Sequence, residues 1–219
     1  FVWYDCAMPP ATKSGRRFFA GASLLAATLL AALAVRGSAP AYVPEVPEYR
    51  AKGPRDAKVV IAEFSDFQCP ACRVAVEPLQ SIQKLFPGKV RVVFVHFPWD
   101  FHPWAKPAAI AAECAGPRNL FWPYHDKLYE TQGDWAAQEK IDDVQKRFLM
   151  MAEGLGIGEE GFAACLNDPE LPKLVDAEFA GARQNWVNST PTFFINGKRF
   201  VGAVQLRTAG LNRIEDLLK

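Results

Sequence analysis

The sequence predicts an α/β domain preceded by one apolar helix, and three observations lead to this prediction. The order of the patterns is strand, helix, strand, then about 80 helical residues, then two short strands and a helix. An uncharged apolar run occupies residues 18–35. The pair Cys69 and Cys72 stands where the first strand gives way to the first helix. The first two observations define the architecture, and the third indicates where its chemistry lies.

The composition fits one globular domain with an additional terminal segment, because the chain has 219 residues of which 50% are hydrophobic. Its 25 basic and 24 acidic side chains nearly cancel, and there is no basic block or aromatic-basic motif. Nucleic acid is therefore excluded as a partner. Five cysteines are too few for a disulfide-dense miniprotein, and their odd number leaves one over if the others pair within the chain.

The N-terminal segment, residues 1–36, contains a predicted helix at about 18–35 that is just long enough to cross the roughly 30 Å apolar core of a bilayer. The cationic cluster of Lys13, Arg16 and Arg17 predicts that its N-terminal side stays in the cytoplasm and that the rest is exported. Three interpretations stay open: a membrane anchor, a cleaved export signal of twin-arginine type, and a buried helix of a soluble domain. The first two place the residues after about 40 outside the cytoplasm.

The chain begins at Phe1, so a start at Met8 and an origin as the tail of an upstream membrane domain both stay open. Cys6 has no assignable role. Residues 37–57 carry four prolines and two glycines with little apolar periodicity. This composition predicts an extended, proline-rich linker.

The domain itself is predicted over residues 58–219. It starts with the strand KVVIAEFSDF, the helix PACRVAVEPLQSIQKLF and the strand KVRVVFVHF, an order typical of a parallel pair. Helical patterns then fill an insertion at about residues 103–186. The pair Asn196-Gly197 predicts a hairpin in TPTFFINGKRFVG, and an amphipathic helix ends the chain.

The CxxC motif has three interpretations. A structural zinc site needs four ligands, but Cys114 and Cys165 are separated by 51 positions and no histidine has knuckle spacing to either, so no metal is predicted. A structural disulfide across so short a loop would stabilise little. A redox dithiol fits best, because the free N–H groups and the dipole at a helix start favour the Cys69 thiolate, and Pro70 suits the first helical position. Cys72, almost one turn later, can close on Cys69 and expel a bound partner.

The motifs FSDFQCPAC and STPTFFINGKRFVGA resemble those of the DsbA-like thiol–disulfide oxidoreductases of the thioredoxin superfamily, over roughly residues 57–219. The resemblance implies a thioredoxin-like fold, βαβ followed by ββα, with an inserted helical domain. It also implies that Thr190–Pro191 is a cis peptide that faces the CxxC and pairs with substrate through its flanking backbone. The residues alone would predict an ordinary trans turn there.

Three more site residues depend on this resemblance. Alternation along the strand leaves it open whether Glu63 points to solvent, whereas the resemblance implies a buried acid that helps to move the proton of Cys72 and whose pKa is raised by desolvation. Cys114 and Cys165 would be two small buried side chains in a reducing compartment. In an exported protein of this family they are expected to form a structural disulfide.

The resemblance implies an enzyme that introduces disulfides into reduced or unfolded exported proteins, at the periplasmic or extracytoplasmic face of the membrane and without a cofactor. The dithiol would be reoxidised by a quinone-linked membrane partner similar to DsbB or to vitamin K epoxide reductase. Ala71 stands where the strong oxidants of the family carry histidine, so a weaker oxidant is expected. A disulfide reductase or isomerase stays open, as does a non-catalytic thioredoxin-like module that binds exported clients.

Overall fold

The computed structural model describes residues 44–219. The predicted apolar helix at 18–35 and Cys6 lie outside the described residues. Within residues 44–219, none of the helices combines the length and the apolar character that crossing a bilayer requires.

Five strands form one sheet in the described part of the chain, and helices cover both of its faces. The strands are β1 (Ala51–Lys52), β2 (Val59–Ser65), β3 (Val90–His96), β4 (Thr192–Ile195) and β5 (Lys198–Val201). The helices are α1 (Pro70–Leu85), α2 (Ala105–Ala115), α3 (Phe121–Glu130), α4 (Gln132–Trp135), α5 (Ile141–Gly154), α6 (Glu159–Leu166), α7 (Glu170–Gln184), α8 (Gly202–Gln205) and α9 (Leu211–Leu218). Short 3-10 helices occupy Glu48–Arg50 and Gly116–Arg118, and a π-helix occupies Leu206–Gly210.

The sheet has the strand order β1-β3-β2-β4-β5, with β2 at its centre. Strands β2 and β3 are parallel because helix α1 connects them, whereas every other pair is antiparallel. The central strands β2 and β3 are rich in Val, Ile and Phe and buried along almost their whole length, as expected for strands covered on both faces. The α/β class predicted from the sequence is thereby confirmed.

The two faces of β2 belong to different apolar layers. Ile61 packs in one cluster with Leu79 of α1 and Ile214 of α9. Phe64 packs on the opposite side with Ala182 of α7. Because successive side chains of a strand alternate between faces, Glu63 projects to the same side as Ile61, toward α1.

The helices α2 to α7 form a second core of their own, with the large buried side chains Phe121, Tyr124, Phe148 and Phe162 at its centre. A disulfide joins Cys114 of α2 to Cys165 of α6, with their Cα atoms 5.7 Å apart. These are the two cysteines that the resemblance pairs. The bond ties two helices of the inserted block together across 51 positions of sequence.

The linker prediction is wrong for residues 48–52. Glu48–Arg50 forms a helical turn, and Ala51–Lys52 pairs with β3 as its edge strand. Arg50 is fully buried, with its guanidinium between Glu113 of α2 and Glu178 of α7. Both acidic partners lie more than 60 positions away along the chain, so local composition could not indicate that this segment belongs to the domain.

Candidate active site

The dithiol lies at the junction between β2 and α1. Cys69 caps α1 from an extended backbone conformation, and Pro70 occupies the first helical turn, where no N–H donor is needed. The N–H of Cys72 donates to the Cys69 carbonyl oxygen at 3.1 Å, which begins the helix. Both cysteines are free thiols, Cys69 being 9% exposed and Cys72 completely buried. Only the Cys69 sulfur can therefore meet another protein.

The pKa values of the two thiols are shifted in opposite directions. A hydrogen bond from the Cys72 thiol, assisted by the backbone N–H groups of Cys72 and Ala71, lowers the pKa of Cys69 to about 6 against the opposing effect of partial burial. Burial, together with the neighbouring Cys69 sulfur, raises the pKa of Cys72 well above its usual value. At neutral pH the accessible sulfur is a thiolate and the inner one a thiol, which is the arrangement that a nucleophile and its resolving partner require.

The Thr190–Pro191 peptide is cis and lies beside the accessible sulfur. The Cys69 sulfur is 3.8 Å from the carbonyl oxygen of Thr190. Trp99, from the loop after β3, donates its indole N–H to the Thr190 hydroxyl at 3.0 Å. Phe101 stacks on Trp99 with ring centroids 5.3 Å apart and is 69% exposed, so an apolar surface adjoins the thiolate.

Asp66, three residues before Cys69, connects the inner thiol with the same loop. Its backbone N–H points at the Cys72 sulfur at 3.5 Å. Its carboxylate accepts hydrogen bonds from the backbone N–H of Trp99 at 2.9 Å and from His102 Nδ1 at 2.7 Å. Burial raises the pKa of Asp66, although these donors oppose the shift. The loop that carries the exposed aromatic surface is thus fastened to the backbone that carries the dithiol.

The inserted helices hold the turn before the dithiol from the other side. Gln132 of α4 donates its side-chain amide to the carbonyl oxygens of Phe67 at 2.7 Å and Cys69 at 3.0 Å. The Tyr129 hydroxyl of α3 is 2.9 Å from the Ser65 hydroxyl. Sequence reasoning missed both Gln132 and Tyr129, since a glutamine and a tyrosine in a helical pattern give no signal that they reach a distant turn.

Glu63 is buried beneath the dithiol. It is 1% exposed, so the alternative in which it points to solvent is wrong. Neither of its carboxyl oxygens has a hydrogen-bond partner within the described residues. Burial raises the pKa of this carboxyl to about 7, the nearby Ser65 hydroxyl opposes the shift, and the negative charge of Asp126 adds to it. Tyr129 lies near the same groups. Its pKa is raised by burial and by the charges of Cys72 and Glu63.

Residues 44–219 hold no cluster of three or more His, Cys, Asp or Glu side chains that is suited to a metal ion. A second group of buried charges surrounds Arg50. There Glu113 contacts His96 Nε2 at 2.9 Å and accepts the Tyr49 hydroxyl at 2.7 Å. This cluster joins β3, α2 and α7 to the start of the domain.

The family model described as Thioredoxin matches residues 45–212. Among solved structures, BdbD from Bacillus subtilis in its oxidised form is similar with a TM-score of 0.70 and 26% sequence identity. The match covers 83% of this chain and 99% of that one. The thioredoxin-like fold that the resemblance implied is confirmed.

The chain is similar in sequence to two kinds of curated protein. The chain is 35% identical over 156 residues to a Na(+)/H(+) antiporter NhaA 1 from Salinispora arenicola, a match that covers 71% of the chain but 22% of the antiporter. It is 29% identical over 157 residues to a probable disulfide bond formation protein D from Bacillus anthracis, covering 66% and 68% of the two sequences. The chain therefore spans less than a quarter of the length of the first relative and about two thirds of the second.

Proposed function

The chain belongs to the thioredoxin family, and on this premise we propose that it is a protein thiol–disulfide oxidoreductase that introduces disulfides into exported proteins. The observation that carries the proposal is the pairing of an accessible, low-pKa Cys69 with a buried, high-pKa Cys72 beside the cis Thr190–Pro191 peptide. The likeness to BdbD and to the probable disulfide bond formation protein supports the same chemistry.

In the oxidising direction, a client thiolate attacks the Cys69 sulfur of the Cys69–Cys72 disulfide. The bond between the two cysteines breaks, a mixed disulfide forms, and Cys72 leaves as a thiolate that takes up a proton from Glu63. A second client thiolate then attacks the client sulfur of the mixed disulfide. A client disulfide forms, and Cys69 leaves as the thiolate that its surroundings stabilise. Two electrons have passed from the client to the dithiol.

The reduced dithiol must then give these two electrons to another oxidant. We propose a quinone-linked membrane enzyme similar to DsbB or to vitamin K epoxide reductase for this step. We propose that the site works at the extracytoplasmic face of the membrane, and the Cys114–Cys165 disulfide supports an oxidising compartment because such bonds persist there. We retain the proposed domain bounds 58–219 with an insertion at about 103–186, extended at the start by the ordered residues 48–52.

The direction of the reaction is tested by the reduction potential of the Cys69–Cys72 pair in the full chain, equilibrated in glutathione buffers with Cys114 and Cys165 followed separately by mass. A value near about −120 mV would identify a disulfide donor, and a value near about −270 mV would identify a reductase. Ala71 between the cysteines favours an intermediate value, because its side chain supplies no donor to the Cys69 thiolate.

Turnover separates an enzyme from a binding module. We expect the full chain to accelerate disulfide formation in reduced ribonuclease and the Cys69→Ser variant to lose this activity. Equal rates with the wild-type chain and with the Cys69→Ser variant would leave only a non-catalytic binding function.

A further inference from the structure

A small cavity lies beside Glu63, between the sheet and the inserted helices. Glu63 of β2, Lys52 of β1, and Trp122, His125 and Asp126 of α3 contribute to its lining, and α1 closes the other side. Its free volume of about 10 Å³ is close to the smallest space that admits one water molecule. The cavity therefore suits proton movement and is too small for an organic ligand.

Four buried polar atoms without a hydrogen-bond partner in the described chain belong to residues that line this one cavity. They are both carboxyl oxygens of Glu63, Nε2 of His125 and Nε1 of Trp122. Leaving a buried polar atom unpaired costs about 1–3 kcal/mol, so such atoms are few in native proteins and usually have a functional reason. Their concentration at one cavity indicates a polar route from Glu63 rather than a packing defect.

The protonation state of His125 follows from its other nitrogen. Nδ1 lies 2.9 Å from the Asp126 carboxylate, which only accepts hydrogen bonds when ionised. Asp126 is ionised at neutral pH, because its contacts to His125 and Lys52 outweigh its burial and lower its pKa. Nδ1 therefore carries the proton, and Nε2 presents a free lone pair to the cavity.

We propose that His125 relays the proton of the buried thiol to solvent, accepting it at Nε2 from Glu63 and releasing it through Asp126. This inference deepens the proposed function and rests on it. When Cys72 resolves a mixed disulfide, its thiol gives a proton to the Glu63 carboxylate and the thiolate forms the bond to Cys69, expelling the partner thiolate. Glu63 passes the proton to Nε2, and the imidazolium gives its Nδ1 proton to Asp126, whose side chain is 43% exposed. The reverse sequence supplies the proton that Cys72 takes up when it leaves as a thiolate.

The groups around His125 keep its imidazole neutral, so that it can accept a proton from Glu63. Burial lowers its pKa, Asp126 on the same helix opposes this, and Lys52 of β1 and His96 of β3 add to the lowering. Around Glu63, the titratable groups are Cys72 of α1 and Tyr129 of α3, with Asp126 beyond. Because the pKa of Glu63 is raised to about 7 and that of His125 is lowered, a proton shared by this pair stays mostly on Glu63 and is held by His125 only in passing.

The test follows the step that needs the proton transfer. Reduced full chain is mixed with excess oxidised glutathione and quenched in acid at successive times. Mass then gives the formation of the Cys69–glutathione adduct and its resolution by Cys72. We expect His125→Gln to form the adduct normally but to resolve it about tenfold more slowly at pH 7, since positioned acid–base groups contribute at least this much.

Three comparisons distinguish a relay from a structural role. In His125→Ala, whose missing ring leaves space for it, added imidazole should restore the resolution rate in proportion to its concentration and leave the wild type unchanged. Glu63→Gln should slow resolution similarly, and the double variant should be no slower than Glu63→Gln alone. Glu130→Gln removes an exposed carboxylate of the same helix α3 that does not line the cavity, and it should resolve the adduct within about twofold of the wild type.

Resolution by His125→Gln at the wild-type rate would overturn the relay while leaving the proposed function intact, since the adduct still forms and resolves. Absence of any adduct in the wild type would contradict the proposed function, and the relay with it. If His125→Gln does not fold, Asp126→Asn serves instead, because it removes the group that releases the proton. A wild-type resolution rate in that variant, without buffer dependence, would equally overturn the relay.

Discussion

Gln132, a residue of the inserted helices, donates a hydrogen bond of 3.0 Å to the carbonyl oxygen of Cys69. The same amide donates to Phe67 at 2.7 Å, so one buried side chain holds the turn that presents the dithiol. The inserted block is thus a support of the active site as well as a cover over it.

Replacing Gln132 by leucine should destabilise the domain by about 1–3 kcal/mol, because the buried Phe67 carbonyl loses its donor. The matched control is Gln138→Leu, whose amide contacts only the Asp134 carbonyl near the surface and whose loss should cost less than about 0.5 kcal/mol. Chemical denaturation of the reduced full chain measures the free energy of unfolding of both variants. Equal losses in the two variants would show that Gln132 does not support the turn.

The acidity of Cys69 should depend on its partner thiol. Thiolate absorbance of the reduced chain, with Cys69→Ser as the blank, should titrate at a pH of about 6. Cys72→Ala removes the strongest stabilising hydrogen bond, and the midpoint should rise to about 7–8. Cys72→Ser keeps a hydroxyl donor and should stay near the wild type. An unchanged midpoint in Cys72→Ala would mean that the helix start alone sets the pKa.

Glu63 should make the stability of the domain depend on pH. Its pKa is about 7 in the folded chain and near 4.5 when solvated, so the folded state binds the extra proton between these values. Stability from this group is complete below about pH 4.5 and is lost as the pH rises through 7. Glu63→Gln removes the cost of a buried charge, and it should stabilise the domain relative to wild type by about 3 kcal/mol at pH 8 and hardly at all at pH 4.

Denaturation of reduced wild type and Glu63→Gln at both pH values measures this difference. Glu77→Gln, on an exposed position of α1, controls for the loss of a surface charge. A stability difference that is the same at pH 4 and pH 8 would contradict a buried, titrating Glu63.

The Cys114–Cys165 disulfide should stabilise the fold without taking part in exchange. Removing a bond that closes 51 positions should cost about 4 kcal/mol in the chain-entropy model. The Cys114→Ala, Cys165→Ala double variant should nevertheless react with glutathione through Cys69 at the wild-type rate below its unfolding temperature. A change in that rate would connect the second pair to the dithiol.

Arg50 should be far more important for stability than another arginine nearby. Arg50→Met leaves Glu113 and Glu178 without their shared partner in a buried site, which should cost about 3–5 kcal/mol. Arg55 pairs with Glu48 at the surface, and Arg55→Met should cost less than about 1 kcal/mol. Thermal unfolding of the two variants compares them directly, and similar losses would argue against a buried Arg50 cluster.

The sequence predicts the elements that carry regular patterns. The two β-branched strands, the helix after Cys69 and the hairpin at Asn196-Gly197 lie where periodicity and turn chemistry indicate, with differences of a few residues at their ends. Glu63 is different, since strand alternation leaves its face undecided and only the packing of α1 and α3 buries it. Burial at such a position depends on which residues pack against the side chain in the fold, and local sequence patterns do not contain this information.

The contacts that sequence reasoning missed all join residues far apart in the chain. Gln132 reaches Cys69 across 63 positions, and Arg50 reaches Glu178 across 128. His125 gives no signal of a function in the sequence, because a lone histidine in a helical pattern does not show what its ring faces. The relay proposed for it depends on a cavity that forms only when β1, β2, α1 and α3 pack together.

The buried Arg50 has a consequence for how the domain carries mechanical load. Among the described residues, Arg50 is the first along the chain whose side chain is fixed by buried ion pairs. Val46 packs against the apolar cluster that contains Phe64 of β2, so tension applied at residue 44 would load this apolar contact first and Arg50 and β1 after it. The start of the described chain is therefore attached to the fold at two successive points, an apolar contact and then a buried ion-pair cluster.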